Sequence, residues 1–165
     1  MARLPYPDLT TPEAAPVAER IAAERGKVIN LYKMLLHSPV VADGWRAFLT
    51  AIRQKASLSD RHRELAILRV AVINRAPYEF AAHIPFAKKS GFTDAEIREI
   101  EQDKMPASVT DADRAVLALT DEMTRNVQVR DETYAAAKKH FNDREMVELT
   151  ATIAAYNLVS RFLEA

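Results

Sequence analysis

Three glycines in 165 residues, Gly26, Gly44 and Gly91, leave little material for the tight turns on which hairpins and sheets depend. Runs of β-branched residues are few, while helix signals follow one another along the chain. The pattern predicts helices at 13–25, 28–37, 39–55, 60–75, 77–90, 93–103, 110–126, 131–141 and 143–163. Thr93-Asp94-Ala95-Glu96 and Asn142-Asp143-Arg144-Glu145 each set a short polar cap three residues ahead of a Glu, as in a capping box. Thr110 precedes Asp111 and Asp113, acids that suit the first turn of a helix. Gly91 is a natural stop for the helix before it. The expected fold class is all-α.

Two segments are unusually apolar, one from Leu65 to Ile73 and the other from Leu149 to Tyr156. Each follows a polar run that ends in a glutamate, Glu64 or Glu148. A helical repeat would show this pattern, and so would two buried helices with acidic starts. The poor match outside the apolar positions favours two buried helices. The β-branched residues at 65–73 would permit a strand, but its length and caps favour a helix.

A chain of 165 residues fits one domain with one core, assigned here to 13–165. Residues 1–12 carry Pro5, Pro7 and Pro12 and read as an extended arm. Such an arm suits either contact with a neighbouring subunit or a frayed terminus. The 23 basic and 23 acidic residues balance, which argues against a nucleic-acid partner. Zero net charge also favours self-association. No stretch approaches the roughly 18 apolar residues of a membrane span, and the start lacks a signal-peptide run, so a cytoplasmic protein is expected. The chain has no cysteine, which removes disulfides, thiolate nucleophiles and thiolate metal ligands together.

The window from Arg63 to Gly91 carries the chemistry. Pro77 suits the first position of a helix, where its missing N–H costs nothing. Glu79 then falls in the first turn, and His83 lies four residues on, along the same face. Pro85 removes one backbone hydrogen bond and is expected to bend the helix near His83. A histidine beside a carboxylate is a proton-transfer device, because the acid fixes the ring tautomer and holds the imidazolium. If the apolar helix that begins near Glu64 packs beside 77–90, Glu64 becomes a second carboxylate in the same place. A solvated Glu/His pair would show the same spacing. A two-carboxylate, one-histidine metal site is less favoured, since no second histidine is near in sequence. His37, His62 and His140 stand in polar contexts and read as surface residues. Trp45 and Phe48 read as core or interface anchors.

Arg63-Glu64-Leu65, the run Ala76-Pro77-Tyr78-Glu79-Phe80-Ala81-Ala82-His83 and the stretch Ala87 to Gly91 together resemble the carboxymuconolactone decarboxylase family, related to the alkylhydroperoxidase D-like proteins. The resemblance runs from about Trp45 to the end. In the peroxidase branch a Cys-x-x-Cys pair precedes the histidine by four residues, with a glutamate in the helix before. Here Ala76 and Glu79 stand at the two thiol positions, His83 at the histidine and Glu64 at the upstream glutamate. Cysteine-based peroxide reduction is therefore not transferable.

The Tyr-Glu-aromatic-x-x-His version resembles the decarboxylase branch. It implies an all-α, alkylhydroperoxidase D-like fold, a homo-oligomer (trimer or hexamer), and a cofactor-free lyase, decarboxylase or isomerase acting on a small carboxylic acid or lactone from aromatic catabolism. On this reading His83 is the acid/base, Glu79 its orienting partner and Glu64 a second acid or base. Tyr78 and Arg69 are expected to bind substrate, with Arg63 and Arg75 as other candidate cations. Neither a cofactor nor a metal is expected. A non-catalytic oligomeric binding protein, or an antioxidant-family protein without the peroxidatic thiols, is the alternative.

Overall fold

The computed structural model describes residues 3–165, so the first two residues of the arm expected over 1–12 lie outside the described residues. Among the described residues the structure is helical, without strands: α1 (Ala15–Arg25), α2 (Asn30–Leu35), α3 (Pro39–Thr50), α4 (Asp60–Ile73), α5 (Pro77–Lys89), α6 (Asp94–Glu101), α7 (Asp111–Asn126), α8 (Asp131–Lys138) and α9 (Asp143–Glu164). Each predicted helix is present. The stretch predicted to continue α3 to 55 is instead a π-helical turn, Ala51–Lys55. No helix among the described residues is long and apolar enough to cross a membrane.

The chain divides into two compact units, one ending at Gln54 and the other Lys55–Ala165. In the first unit α3 packs against α1 and α2. Arg46 pairs with both Glu24 and Asp43, and the Thr50 hydroxyl donates to Glu24 at 2.9 Å. Trp45 is buried and Phe48 is half exposed. His37 is exposed, and its Nε2–H donates to the carbonyl of Pro5 at 2.8 Å.

The second unit is built around α4. Every residue from Arg63 to Ala71 is buried, so this helix has no solvent face and packs against α5, α7 and α9. The other long helices bury only one side. In α9, Met146, Leu149, Ile153, Tyr156 and Val159 point inward, whereas Val147, Thr150, Ala154 and Leu158 form an exposed stripe. The expectation of two buried helices therefore holds for α4 and is corrected for α9, whose apolar segment is one face of an amphipathic helix.

The turns are set by local chemistry. Thr93/Glu96, Thr110/Asp113 and Asn142/Glu145 all form complete capping boxes. At α7 an Asp does the work usual for Glu or Gln. Between α4 and α5 only Asn74, Arg75 and Ala76 intervene. Arg75 adopts φ 55° and the Ala76 N–H donates to Ala71 O at 2.8 Å, the six-to-one bond of a Schellman motif. Gly91 closes α5 in the same way at φ 90°, with the Phe92 N–H donating to Ala87 O at 3.1 Å. At the α4–α5 corner, the Asn74 side chain donates to Asn157 and Ser160 of α9, at 3.0 and 2.7 Å. The tight corner folds α5 back along α4, which places the chemistry of the two helices side by side.

Candidate active site

Glu64 lies ten residues before Asn74, and His83 seven residues after Ala76, so an antiparallel hairpin brings them to nearly the same level. The His83 Nδ1 stands 2.7 Å from Glu64 Oε2, and both side chains are buried. A carboxylate only accepts, so the ring nitrogen facing it carries the hydrogen, and Nδ1–H donates to Oε2. That bond fixes the tautomer and leaves Nε2 as the nitrogen through which the ring can take up a proton. Tyr156 of α9 presents its ring to the imidazole edge-on at 5.1 Å, and Phe86 lies tilted at 5.6 Å. Helix α5 runs unbroken through Pro85.

Glu79 occupies a different environment. It sits one helical turn nearer the α4–α5 corner, is buried, and neither carboxyl oxygen has a hydrogen-bond partner. Burial, with a further contribution from the negative charge of Glu164, pushes its pKa up to about 8. Near neutrality Glu79 is a protonated acid. The ring's Nδ1–H goes to Glu64, and Glu79, expected as the orienting partner, makes no side-chain hydrogen bond. Four-residue spacing makes Glu79 and His83 neighbours on one helix, but the hydrogen bond of the ring goes to the carboxylate on α4.

The candidate cations separate clearly. Arg69 is buried and committed to acids: its Nε and Nη2 donate to Asp121 at 2.5 and 2.7 Å, and Nη1 lies 2.7 Å from Asp103. Five residues along a helix turn a side chain by about 140°, so Arg69 faces α7 while Glu64 faces α5. Arg69, expected to bind substrate, is held in the structure as an interhelical ion-pair centre. Arg75 is exposed on the corner, and Tyr78 is half exposed. Arg63 stays beside the pair, with Nε 3.6 Å from Glu64 Oε1 and Nη2 donating to Asp60 at 2.7 Å.

A second charged cluster joins the caps of three helices. Arg61 of α4 donates from Nη2 to Glu96 Oε1 at 2.8 Å and to Asp113 Oδ2 at 3.1 Å, so one guanidinium ties the capping boxes of α6 and α7 together. It also lies over the Phe92 ring, 4.3 Å from its centroid. Burial opposes ionisation of Glu96. The Thr93 backbone N–H, Arg61 and the Thr93 hydroxyl outweigh that and hold its carboxyl at about 2. His62, expected at the surface, is half-buried here, with Nδ1 2.9 Å from Ser59 Oγ and Nε2 3.6 Å from Asp113. Burial lowers its pKa against the pull of Asp113. His140 is exposed, as expected. No group of three or more potential metal ligands is gathered among the described residues.

Nothing in the sequence places Tyr156 at the ring or singles out Arg63 beside Glu64. Tyr156 is placed at the ring by α9, about seventy residues away, and is otherwise one more apolar position in a buried stripe. Arg63 looked like one of three interchangeable cations; the signal that could have singled it out is its position directly before Glu64.

The helical hairpin with its buried Glu/His pair belongs to an all-α class with an alkylhydroperoxidase D-like fold. Residues 39–122 match the carboxymuconolactone decarboxylase family, and the chain belongs to that family. Among solved structures, the chain is similar to an uncharacterized peroxidase-related protein from Silicibacter sp. TM1040. The two are 20% identical over 97% of this chain and 85% of that one, with a TM-score of 0.82. It is equally similar to a peroxidase-related protein with the alkylhydroperoxidase AhpD core from Ralstonia eutropha JMP134: 20% identity, 98% and 88% covered, TM-score 0.82. The debrominase Bmp8, solved with 2,3,4-tribromopyrrole, is 16% identical over 100% of this chain and 91% of that one, with a TM-score of 0.76. These likenesses establish the fold. Among curated proteins no relative matches the chain.

Proposed function

We propose that this chain is an acid–base catalyst of the decarboxylase branch, a lyase or isomerase that acts on a small carboxylic acid or lactone through its own side chains. The observation that carries this reading is the buried 2.7 Å contact between His83 Nδ1 and Glu64 Oε2. Evolution of a soluble fold gives no reason to bury an ionisable pair when apolar residues of similar volume would serve stability as well. Fixing Nδ1–H on Glu64 makes Nε2 the working nitrogen. In decarboxylation the bond to the leaving carboxylate breaks, CO2 departs, and the electron pair left on carbon takes a proton from His83. In isomerisation the ring removes a proton from one carbon and returns it to another. Protonated Glu79 is a hydrogen-bond donor suited to a substrate carbonyl oxygen.

The test is incubation of the pure chain in D2O with a panel of lactone acids and keto acids of aromatic breakdown, following CO2 release and deuterium entry by NMR. The reading expects both to depend on His83 and to vanish in His83→Gln. Full activity of His83→Gln on the best substrate would overturn it. Absence of turnover across the panel would favour an oligomeric binding protein instead.

The same reading takes the working form to be a cytoplasmic homo-oligomer, a trimer or hexamer. Support comes from the exposed stripe of α9, in which Val147 and Leu158 stand out to solvent. Light scattering at micromolar concentration is expected to give a multiple of the 18.5 kDa chain mass; the mass of one chain would count against it.

A further inference from the structure

Arg63 has no task in the proton transfer described above, yet it is buried beside it. Adjacent residues on a helix point about 100° apart and do not normally face each other. Here the guanidinium folds back so that its Nε lies 3.6 Å from Glu64 Oε1, while Asp60, one turn earlier, holds Nη2. The Nε makes no hydrogen bond. Its relation to Glu64 is therefore one of charge rather than of a directional strut. Glu64 thus faces two groups at once: Oε2 receives the Nδ1–H of His83, and Oε1 meets the guanidinium.

We propose that Arg63 is a positioning residue that sets the proton affinity of His83 through Glu64. A buried carboxylate facing only a histidine favours the imidazolium, and such a pair holds its proton. With Arg63 already balancing the carboxylate, protonation of the ring adds a second positive charge to one negative one. The proton is released more readily, which keeps His83 poised to exchange it. Glu64 and Tyr156 meet the ring itself, Arg63 and Asp60 stand behind Glu64 on α4, and Glu79, on α5, feels the charge of Glu164 from α9. From α6, at the far end of α5, Asp94 pairs with Lys88. Of these, Arg63 is the cation in contact with the carboxylate that holds the ring.

The inference deepens the proton-transfer reading, but its test needs no substrate. The full chain, labelled at histidine, is titrated by NMR, with the His83 resonance assigned by its loss in His83→Gln. In Arg63→Gln the His83 midpoint is expected to rise by about one pH unit, a tenfold gain in proton affinity. Arg63→Lys, which restores the charge, is expected to bring it most of the way back. A midpoint in Arg63→Gln that stays put or falls overturns the proposal, as does a failure of Lys to restore it. Should Arg63→Gln not fold, Asp60→Asn supplies the test, because Asp60 is exposed and shields Arg63. Unmasking the guanidinium is expected to lower the His83 midpoint, and an unchanged or raised midpoint overturns the proposal. A chain without turnover on any substrate would leave this result standing, so failure of the catalytic reading and failure of this inference are distinct.

Discussion

Glu64 and His83, nineteen residues apart in sequence, meet at 2.7 Å inside the α4–α5 hairpin. The contact depends on the three-residue corner at Asn74–Ala76, since one residue more or less would rotate His83 by about 100° away from α4. Truncation should therefore hurt stability and chemistry differently. His83→Ala leaves Glu64 buried without its partner and should cost about 3–5 kcal/mol. His83→Gln keeps an N–H donor near Oε2 and should cost about 1–3 kcal/mol. Urea unfolding of the two variants checks the order; equal losses would mean that the contact adds nothing to the fold.

Glu79 makes the stability depend on pH in an unusual direction. Its folded value of about 8 lies above the ordinary 4.5. Between those limits the folded chain keeps a proton that the unfolded chain has released, so stability falls as pH rises through the window and levels off above it. Glu79→Gln is neutral throughout and should lack this fall. The variant is expected to match the parent near pH 4 and to exceed it by about 2–5 kcal/mol near pH 9. Thermal melts at the two pH values measure the difference, and parallel pH profiles for parent and variant would refute it.

The Arg61 node has the opposite dependence. Glu96, held at about 2, stabilises the fold fully above its ordinary 4.5, and that contribution is lost as pH falls through 2. Arg61→Met should leave the buried carboxylates of Glu96 and Asp113 without their shared cation and cost about 3–5 kcal/mol at pH 7. Acid titration followed by circular dichroism should show the variant unfolding at higher pH than the parent. An unchanged acid transition would mean the capping hydrogen bonds alone set the carboxylates.

Peroxide chemistry gives a sharp negative expectation. With Ala76 and Glu79 at the thiol positions and no cysteine in the chain, no residue can form a sulfenate or disulfide. Dithiol-dependent peroxide consumption by the pure, metal-free protein is expected to equal the buffer rate. Saturable turnover would show that the fold reduces peroxide by another route.

The helices found among the described residues, the capping boxes at Thr93 and Asn142 and the family resemblance were legible in the sequence, because each is local: a Thr or Asn three residues before a Glu, a Gly at a helix end, a motif within one window. It also set Glu79 and His83 on one helix face, and it brought Glu64 to them only on the condition that α4 packs beside α5. Which carboxylate holds the ring follows from the packing of one helix on another. Spacing of four residues made Glu79 the natural partner, but reach along one helix is weaker evidence than the register between two, and that register sets Glu64 against His83. Arg69 follows the same logic. Its type and place in the sequence suited a substrate anion, yet the rotation of α4 turns it to Asp121 on α7. Burial, too, was decided in three dimensions: the same carboxylic acid is held at about 2 in Glu96, beside a guanidinium and a helix cap, and pushed to about 8 in Glu79, where neither oxygen finds a donor.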